Sequence, residues 1–355
     1  MTQSPQVWQQ GAQTLCCIER RQETADAVTL VFRPLQALAV SYQPGQFLLL
    51  TVEIDGQSHS RAYSLSSSPS RSADLAVTVK RVSGGLVSNW LLDNFQTGDT
   101  LSALAPTGAF FLPADYSAGK ILLCSAGKIL LCSAGSGITP MMSIAHWLLD
   151  NQRETEILFL HSARHADDII FRDELMALAA KYPQFKLSLI LDNTTDAFVC
   201  YQGFLNPVLF DQLVPDLSDC HAFMCGPTPY MDSLESCLRD RQFPMHNSHK
   251  ESFTPAAPIV ADETLSRQFR LEVSSFGASS DITNQQTVLE ALESLQLPII
   301  GACRSGVCGS CKCKVVSGSI ENISEQPGPL TEEEQQQGYI LACSSRASSD
   351  LELEL

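Results

Sequence analysis

The chain has 355 residues, 44% hydrophobic and 17% charged, with 23 Lys and Arg against 39 Asp and Glu for a formal charge of −16. That length supports two or three domains with their own cores, and the acidic balance argues against a nucleic-acid partner, because a polyanion repels such a surface. No apolar run approaches the roughly 18 residues of a membrane span, and Glu19, Arg20 and Arg21 interrupt any export signal near the start. The expectation is a cytoplasmic protein with no membrane anchor. Its 13 cysteines are then reduced, so clustered ones point to metal before disulfides.

Residues 8–114 carry short β-branched and aromatic runs, "AVTLVF", "GQFLLLTVE", "RAYSLSS", "DLAVTVKRV" and "DTLSALAPTGAFFL". Pro44-Gly45 and Asp55-Gly56 punctuate them as turns, which predicts an antiparallel β-barrel or sandwich. Within it, "RAYS" places Arg61, Ala62, Tyr63 and Ser64 on one strand, and "GGLVSNWLL" opens a helix with Gly85, Leu86, Val87 and Ser88. Arginine is a forked donor for a pyrophosphate, tyrosine a flat face for a ring, and serine a hydrogen bond to a ring nitrogen. A glycine-led helix start suits phosphate.

From 117 to 252 the pattern alternates strand and helix, predicting a parallel sheet in an α/β domain. The expected helices include "ITPMMSIAHWLLDNQ", "IIFRDELMALAAKY" and "YMDSLESCLRD". "CSAGSGITP" puts Gly135, Gly137 and Thr139 in a glycine turn at a helix start, where backbone N–H groups can face a dinucleotide. "MCGPTP" places Cys225, Gly226 and Pro227 at a strand end, and "KESF" holds Glu251 and Phe253. Taken alone, Cys225 reads as a buried strand thiol. His246 and His249, an isolated pair, read as surface.

A polar, proline-containing stretch over 254–266 reads as a linker. The block 268–355 has five basic and twelve acidic residues, nearly half the net charge, and suggests an acidic docking face. It holds "ACRSGVCGSCK" and, far downstream, "LACSS". Cys303, Cys308 and Cys311 form C-x4-C-x2-C, and Cys343 follows after 31 residues. This is the plant-type [2Fe–2S] spacing; zinc sites favour paired C-x2-C, and the first gap here is longer. Gly301, Gly306 and Gly309 allow a loop tight enough to aim N–H groups at sulfur. Cys313, two residues beyond Cys311, is expected not to be a ligand.

"RAYS", "GGLVS", "CSAGSGITP", "MCGPTP" and the cysteine cluster, in that order, resemble the ferredoxin-NADP reductase superfamily, in the form that ends in a plant-type ferredoxin domain. The resemblance spans nearly the whole chain. It implies a multidomain fold: an antiparallel flavin-binding β-barrel, an α/β parallel-sheet nucleotide-binding domain and an α+β β-grasp ferredoxin domain. It implies FAD, with Arg61 at the phosphates, Tyr63 against the isoalloxazine, Ser64 near its N5 and Gly85 to Ser88 at the pyrophosphate. It further implies Cys225 and Gly226 at the nicotinamide, and Glu251 and Phe253 at the flavin edge, so that Ser64, Cys225 and Glu251 form the catalytic set. NADH is preferred over NADPH because Asp167 and Asp168, just downstream of Arg164 in "ARHADDIIF", disfavour the charge of a 2′-phosphate there. The implied activity is an NADH:acceptor oxidoreductase passing electrons from NADH through FAD and [2Fe–2S] to a partner protein. "KESFTP" and "MCGPTPYMD" suggest the hybrid-cluster protein as partner, with an oxygenase or demethylase component as the alternative. A non-enzymatic electron carrier or redox sensor is the reading of another class.

One feature departs from the family pattern: "SAGKILLC" at 117–124 recurs unchanged at 125–132. It is no Walker loop, since Gly127-Lys128 runs into Ile129. Only the second copy leads directly into the glycine turn, so Lys128 to Cys132 is expected as the central strand, with the first copy outside that slot. Deleting residues 117–124 is therefore predicted to leave NADH oxidation unchanged or improved; lost activity in the deletion protein would give the extra copy a role.

Overall fold

The computed structural model describes residues 7–8, 11–71, 74–112, 127–193, 200–253, 267–299, 301, 304, 306, 309–324 and 330–355. The first copy of the repeat, the expected linker, Cys303 and Cys308 lie outside them. The chain divides into two compact units, the first of residues 1–59 and 63–253 and the second of residues 60–62 and 254–355. Residues 60–62 belong to a strand that pairs in a sheet of the first unit.

The first unit opens with six strands, β1 (Ala12–Thr24), β2 (Ala27–Pro34), β3 (Phe47–Ile54), β4 (Gln57–Ser64), β5 (Leu75–Lys80) and β6 (Thr100–Thr107), with α1 (Leu86–Asn94) between the last two. They form an antiparallel sheet in the order β4-β3-β6-β1-β2-β5. Asp55 and Gly56, both at positive φ, make the two-residue turn from β3 to β4. The sheet closes on itself where Leu65, just past β4, bridges Val77 of β5. Inward residues such as Leu30, Phe32, Leu48, Leu50, Val77 and Val79 fill the barrel and share one core with Leu91 of α1 and Phe95 just past that helix.

Then come β7 (Lys128–Ala134), α2 (Ile138–Asn151), β8 (Glu156–Ala163), α3 (Arg172–Lys181), β9 (Phe185–Leu191), β10 (Tyr201–Gln202), α4 (Pro207–Leu213), β11 (Cys220–Cys225), α5 (Thr228–Asp240) and β12 (Ser248–Glu251). The sheet order is β10-β9-β8-β7-β11-β12, and every pairing is parallel. β7 is central, as its unbroken apolar run "ILLC" requires of a strand covered on both faces. The segment read as one helix from Ile169 differs: Ile169 and Ile170 are buried plugs, and α3 begins only at Arg172 because Phe171 takes a left-handed φ of 61°. The barrel continues into this domain's core through Phe110 and Leu112, and Phe110 meets Phe223 edge-on at 5.6 Å. Gly45 (φ +105°) lets the barrel approach: a Cβ there would stand 2.4 Å from the Phe110 carbonyl oxygen.

The second unit holds β13 (Gln268–Val273), β14 (Ala278–Thr283), α6 (Val288–Ser294), β15 (Lys312–Ser317), β16 (Ile320–Asn322), α7 (Glu332–Gln336), β17 (Tyr339–Leu341), β18 (Ser345–Ala347) and β19 (Leu351–Glu354). β14-β13-β19-β15-β17 form a mixed sheet with a parallel β13–β19 pair. α6, started by a Thr287–Glu290 capping box, buries Val288, Leu289 and Leu292 in the same core as Leu271, Leu351 and Leu353. Among the described residues no helix is long and apolar enough to cross a membrane.

Two histidines are sealed into the first unit, His146 on α2 and His161 on β8. Burial, and then Arg71 beside one and Lys80 near the other, hold their pKa values down at about 3. In the unfolded chain both titrate near 6.5, so that chain takes up protons which the fold refuses once pH drops below 6.5. Stability is predicted to be flat above that pH and to fall below it, by up to about 1.4 kcal/mol per pH unit for each histidine. Urea midpoints at pH 7 and pH 5 would test this, with the loss expected to shrink in His146→Gln.

Candidate functional site

In a parallel sheet whose strands leave in opposite directions from a central one, a crevice opens at the carboxyl ends of the strands on either side of the reversal. Here β8 to β10 lie on one side of β7 and β11, β12 on the other. The crevice therefore falls between the ends of β7 and β11, where the chain places Gly135–Gly137 and Cys225–Gly226.

Gly135 adopts a φ of 53°, and no atom lies within 4 Å of where its Cβ would be, so the turn is open on that side. Gly137 is the opposite case. A Cβ on it would lie 2.1 Å from the Cys225 carbonyl oxygen and 2.8 Å from the Gly226 nitrogen. Only glycine permits this approach. The turn thus lies against β11, and α2 starts from it with no side-chain cap on its first N–H groups. The uncapped helix start and the open face at Gly135 fit a dinucleotide pyrophosphate. Thr139 is buried and turns its hydroxyl to the Ser136 carbonyl oxygen (3.1 Å), so it shapes the turn. Gly226 packs under Tyr230 and Ala134, and Pro227 stands exposed at the start of α5.

Across the crevice edge, Cys225 of β11 is the register partner of Glu251 on β12. The Glu251 carboxylate Oε2 accepts a hydrogen bond from Ser64 Oγ of the barrel at 3.2 Å. Ser64, Cys225 and Glu251, read from three separate motifs, are brought together, all buried. Burial, and secondarily the Glu251 carboxylate, push the Cys225 thiol well above its ordinary range, so it is a neutral, compact group. Phe253, two residues on, is 45% exposed.

On β4, Arg61 is exposed and donates to the Ser60 carbonyl oxygen at 2.7 Å, while Ala62 and Tyr63 are half-buried and Ser64 is inside. Gly85 caps α1; a Cβ there would stand 2.7 Å from Ser88 Oγ, which itself accepts the Val82 N–H at 3.3 Å. Leu86 is exposed and Val87 faces the core. The helix start is bare of side-chain caps and acidic residues, as a phosphate cradle needs.

In the second unit, Cys311 and Cys343 are buried and adjacent: the Cys343 N–H points at Cys311 Sγ (3.4 Å) and the Gly306 N–H at Cys343 Sγ (3.3 Å). Gly306 and Gly309 both take positive φ, 79° and 75°. Backbone donors converging on thiolate sulfurs are what an iron–sulfur centre needs to disperse its negative charge. Cys313 sits on β15, its thiol pushed up to about 12 by burial first and Cys311 second, which suits an inert core thiol.

Sequence reasoning missed a polar group joining the barrel to α2. Ser143, His146 and Asp150 form an i, i+3, i+7 stripe that meets Ser67, Ser70 and Arg71. A polar stripe on a helix otherwise as apolar as "ITPMMSIAHWLL" was the available signal.

The sequence matches the Oxidoreductase FAD-binding domain over residues 15–112, the Oxidoreductase NAD-binding domain over 131–236 and the 2Fe-2S iron-sulfur cluster binding domain over 274–348. It is 36% identical to a glycine betaine monooxygenase reductase subunit of Chromohalobacter salexigens, covering 98% of this chain and 97% of that one. It is 33% identical to the NADH oxidoreductase HCR of Escherichia coli over 88% of each chain. Among solved structures, a phthalate dioxygenase reductase superposes with a TM-score of 0.64 at 24% identity, covering 97% of this chain and 98% of that one.

Gly137→Ala is predicted to cost at least tenfold in NADH affinity, roughly the 1.4 kcal/mol that moving a backbone turn off its ligand forfeits. Flavin and iron content should stay at wild-type level. Calorimetric titration with NAD+, alongside cofactor analysis, checks it.

Proposed function

Because this chain belongs to the family of reductases that join an FAD-binding, an NAD-binding and a 2Fe-2S domain, we propose that it is the reductase component of a multicomponent oxygenase or demethylase. As a member it is an NADH oxidoreductase whose cofactors are FAD and [2Fe–2S]. The observation that carries the finer reading is the end-to-end similarity to an oxygenase reductase, over 98% of this chain and 97% of the relative. It reverses the order expected from sequence motifs, which put a hybrid-cluster protein before an oxygenase component. FAD, when bound, supplies the conversion between a two-electron donor and a one-electron centre.

The chain's own residues serve that transfer as follows. The open Gly135 face and the uncapped start of α2 hold the NADH pyrophosphate. Gly137 and Gly226 keep the floor flat, and the neutral Cys225 thiol fills the space beside the nicotinamide without adding charge. Ser64, its proton committed to Glu251, presents oxygen lone pairs beside Tyr63, and the two would hold the flavin ring between them. Arg61 and the α1 start at Gly85 to Ser88 take the FAD phosphates. Cys303, Cys308, Cys311 and Cys343 hold the cluster. The acidic terminal domain, five basic against twelve acidic residues, offers electrons to a partner with a basic docking face.

The test is the visible spectrum of anaerobically purified protein before and after NADH, followed by addition of an oxygenase component. Flavin and iron–sulfur bands should both bleach, and the glycine betaine oxygenase component should restore turnover more strongly at low salt. Bands bleached by dithionite and not by NADH would sink the reading in favour of a non-enzymatic carrier. Electron delivery to a hybrid-cluster protein but to no oxygenase component would overturn the choice of partner.

A further inference from the structure

The loop that follows the Ser64 strand and the helix that follows the Gly137 turn are tied by a closed polar network. Ser143 Oγ of α2 donates to the Ser67 carbonyl oxygen at 2.6 Å. One turn on, His146 Nδ1 accepts from Arg71, and its other ring nitrogen meets Glu174 of α3 at 3.0 Å. A further turn on, Asp150 receives Arg71 as a fork, Nε to Oδ2 at 2.8 Å and Nη2 to Oδ1 at 3.1 Å, together with the Ser70 hydroxyl at 2.8 Å. His146 is neutral here, so the donors run one way: Arg71 to His146 to Glu174. Beside the network, Gly45 lies near the same helix: a Cβ there would reach ordinary contact, 3.4 Å, with Ile144 Cδ1.

The placement matters more than the strength. Part-exposed ion pairs such as Arg71–Asp150, 37% and 27% exposed at the side chains, contribute little to stability. Yet Ser67 lies three residues after Ser64, and α2 starts just after Gly137 and runs as one helix to Asn151. The loop and the helix thus each carry one half of the site, with Arg71 and Asp150 holding them together seven and thirteen residues away. We propose that Arg71 and Asp150, with His146 between them, form a latch that sets the distance between the glycine turn and the flavin-side strand, making them positioning residues for hydride transfer. An error of about 1 Å at a reacting centre costs on the order of a hundredfold in rate.

The experiment uses the full-length holoprotein and the variants Arg71→Gln, Asp150→Asn, Arg71→Lys and the exchange Arg71→Asp with Asp150→Arg. Anaerobic stopped-flow bleaching of the flavin by NADH is measured with NAD+ affinity, cofactor content and melting temperature. The flavin's visible circular dichroism on adding NAD+ reports placement without turnover. The single neutral variants should transfer about tenfold more slowly or worse with NAD+ affinity, cofactor content and melting temperature held. They should also lose the NAD+-induced dichroism change. Lysine, which keeps the charge and not the fork, should recover part of the rate, and the exchange should recover most of it. Wild-type rates in the single variants would overturn the latch. So would losses that follow melting temperature or flavin content, or an exchange that rescues nothing.

Discussion

Everything at the site depends on one close approach. The α-carbon of Gly137 lies so near the Cys225 carbonyl that a methyl group there would sit at 2.1 Å. With that approach the nucleotide turn lies against the end of β11. Strand register then puts Cys225 beside Glu251, and one hydrogen bond puts Glu251 on Ser64 of the barrel. Four segments spread over nearly 190 residues are fixed in a chain of backbone contact, ladder pairing and side-chain bond. A larger residue at position 137 would break the chain at its first link, because the obstructing atoms are backbone and cannot swing away.

The barrel and the α/β domain behave as a single body in this respect. Their shared apolar contacts, Phe110 on Phe223 and Leu112 within the α/β core, exclude water from the seam. Apolar burial fixes that the two halves stay together but is indifferent to small slides. Directional contacts set the alignment: Ser143 to the Ser67 carbonyl, Arg71 forked on Asp150. The histidines sealed into this unit stay neutral, so neither adds a charge to the seam at neutral pH.

The repeat at 117–132 gains a partial answer. The second copy supplies β7, flanked by β8 and β11 in full parallel register from Lys128 onward. Family matching to the NAD-binding domain begins at residue 131, inside that copy. The first copy, 117–124, lies outside the described residues.

Much was legible from the residues. Thiolate chemistry dictates the spacing of Cys303, Cys308 and Cys311, and a phosphate cradle dictates small residues at Gly135 and Gly137, so both motifs identify themselves locally. Alternating apolar runs announced the barrel, and strand–turn–helix order announced the parallel sheet. The start of α3 was misread because Ile169 and Ile170 look helical in composition; their burial as plugs and the left-handed Phe171 are decided by packing. What no local pattern could carry was who meets whom. Ser64 and Glu251 are 187 residues apart, and Arg71 and Asp150 are 79 apart. The sequence by itself determined the chemistry each segment can perform, since side-chain type and spacing are local properties. Only the tertiary structure decided which segments share a site, because strand register and the few ångströms of clearance at Gly137 and Gly45 exist only once distant parts of the chain are packed.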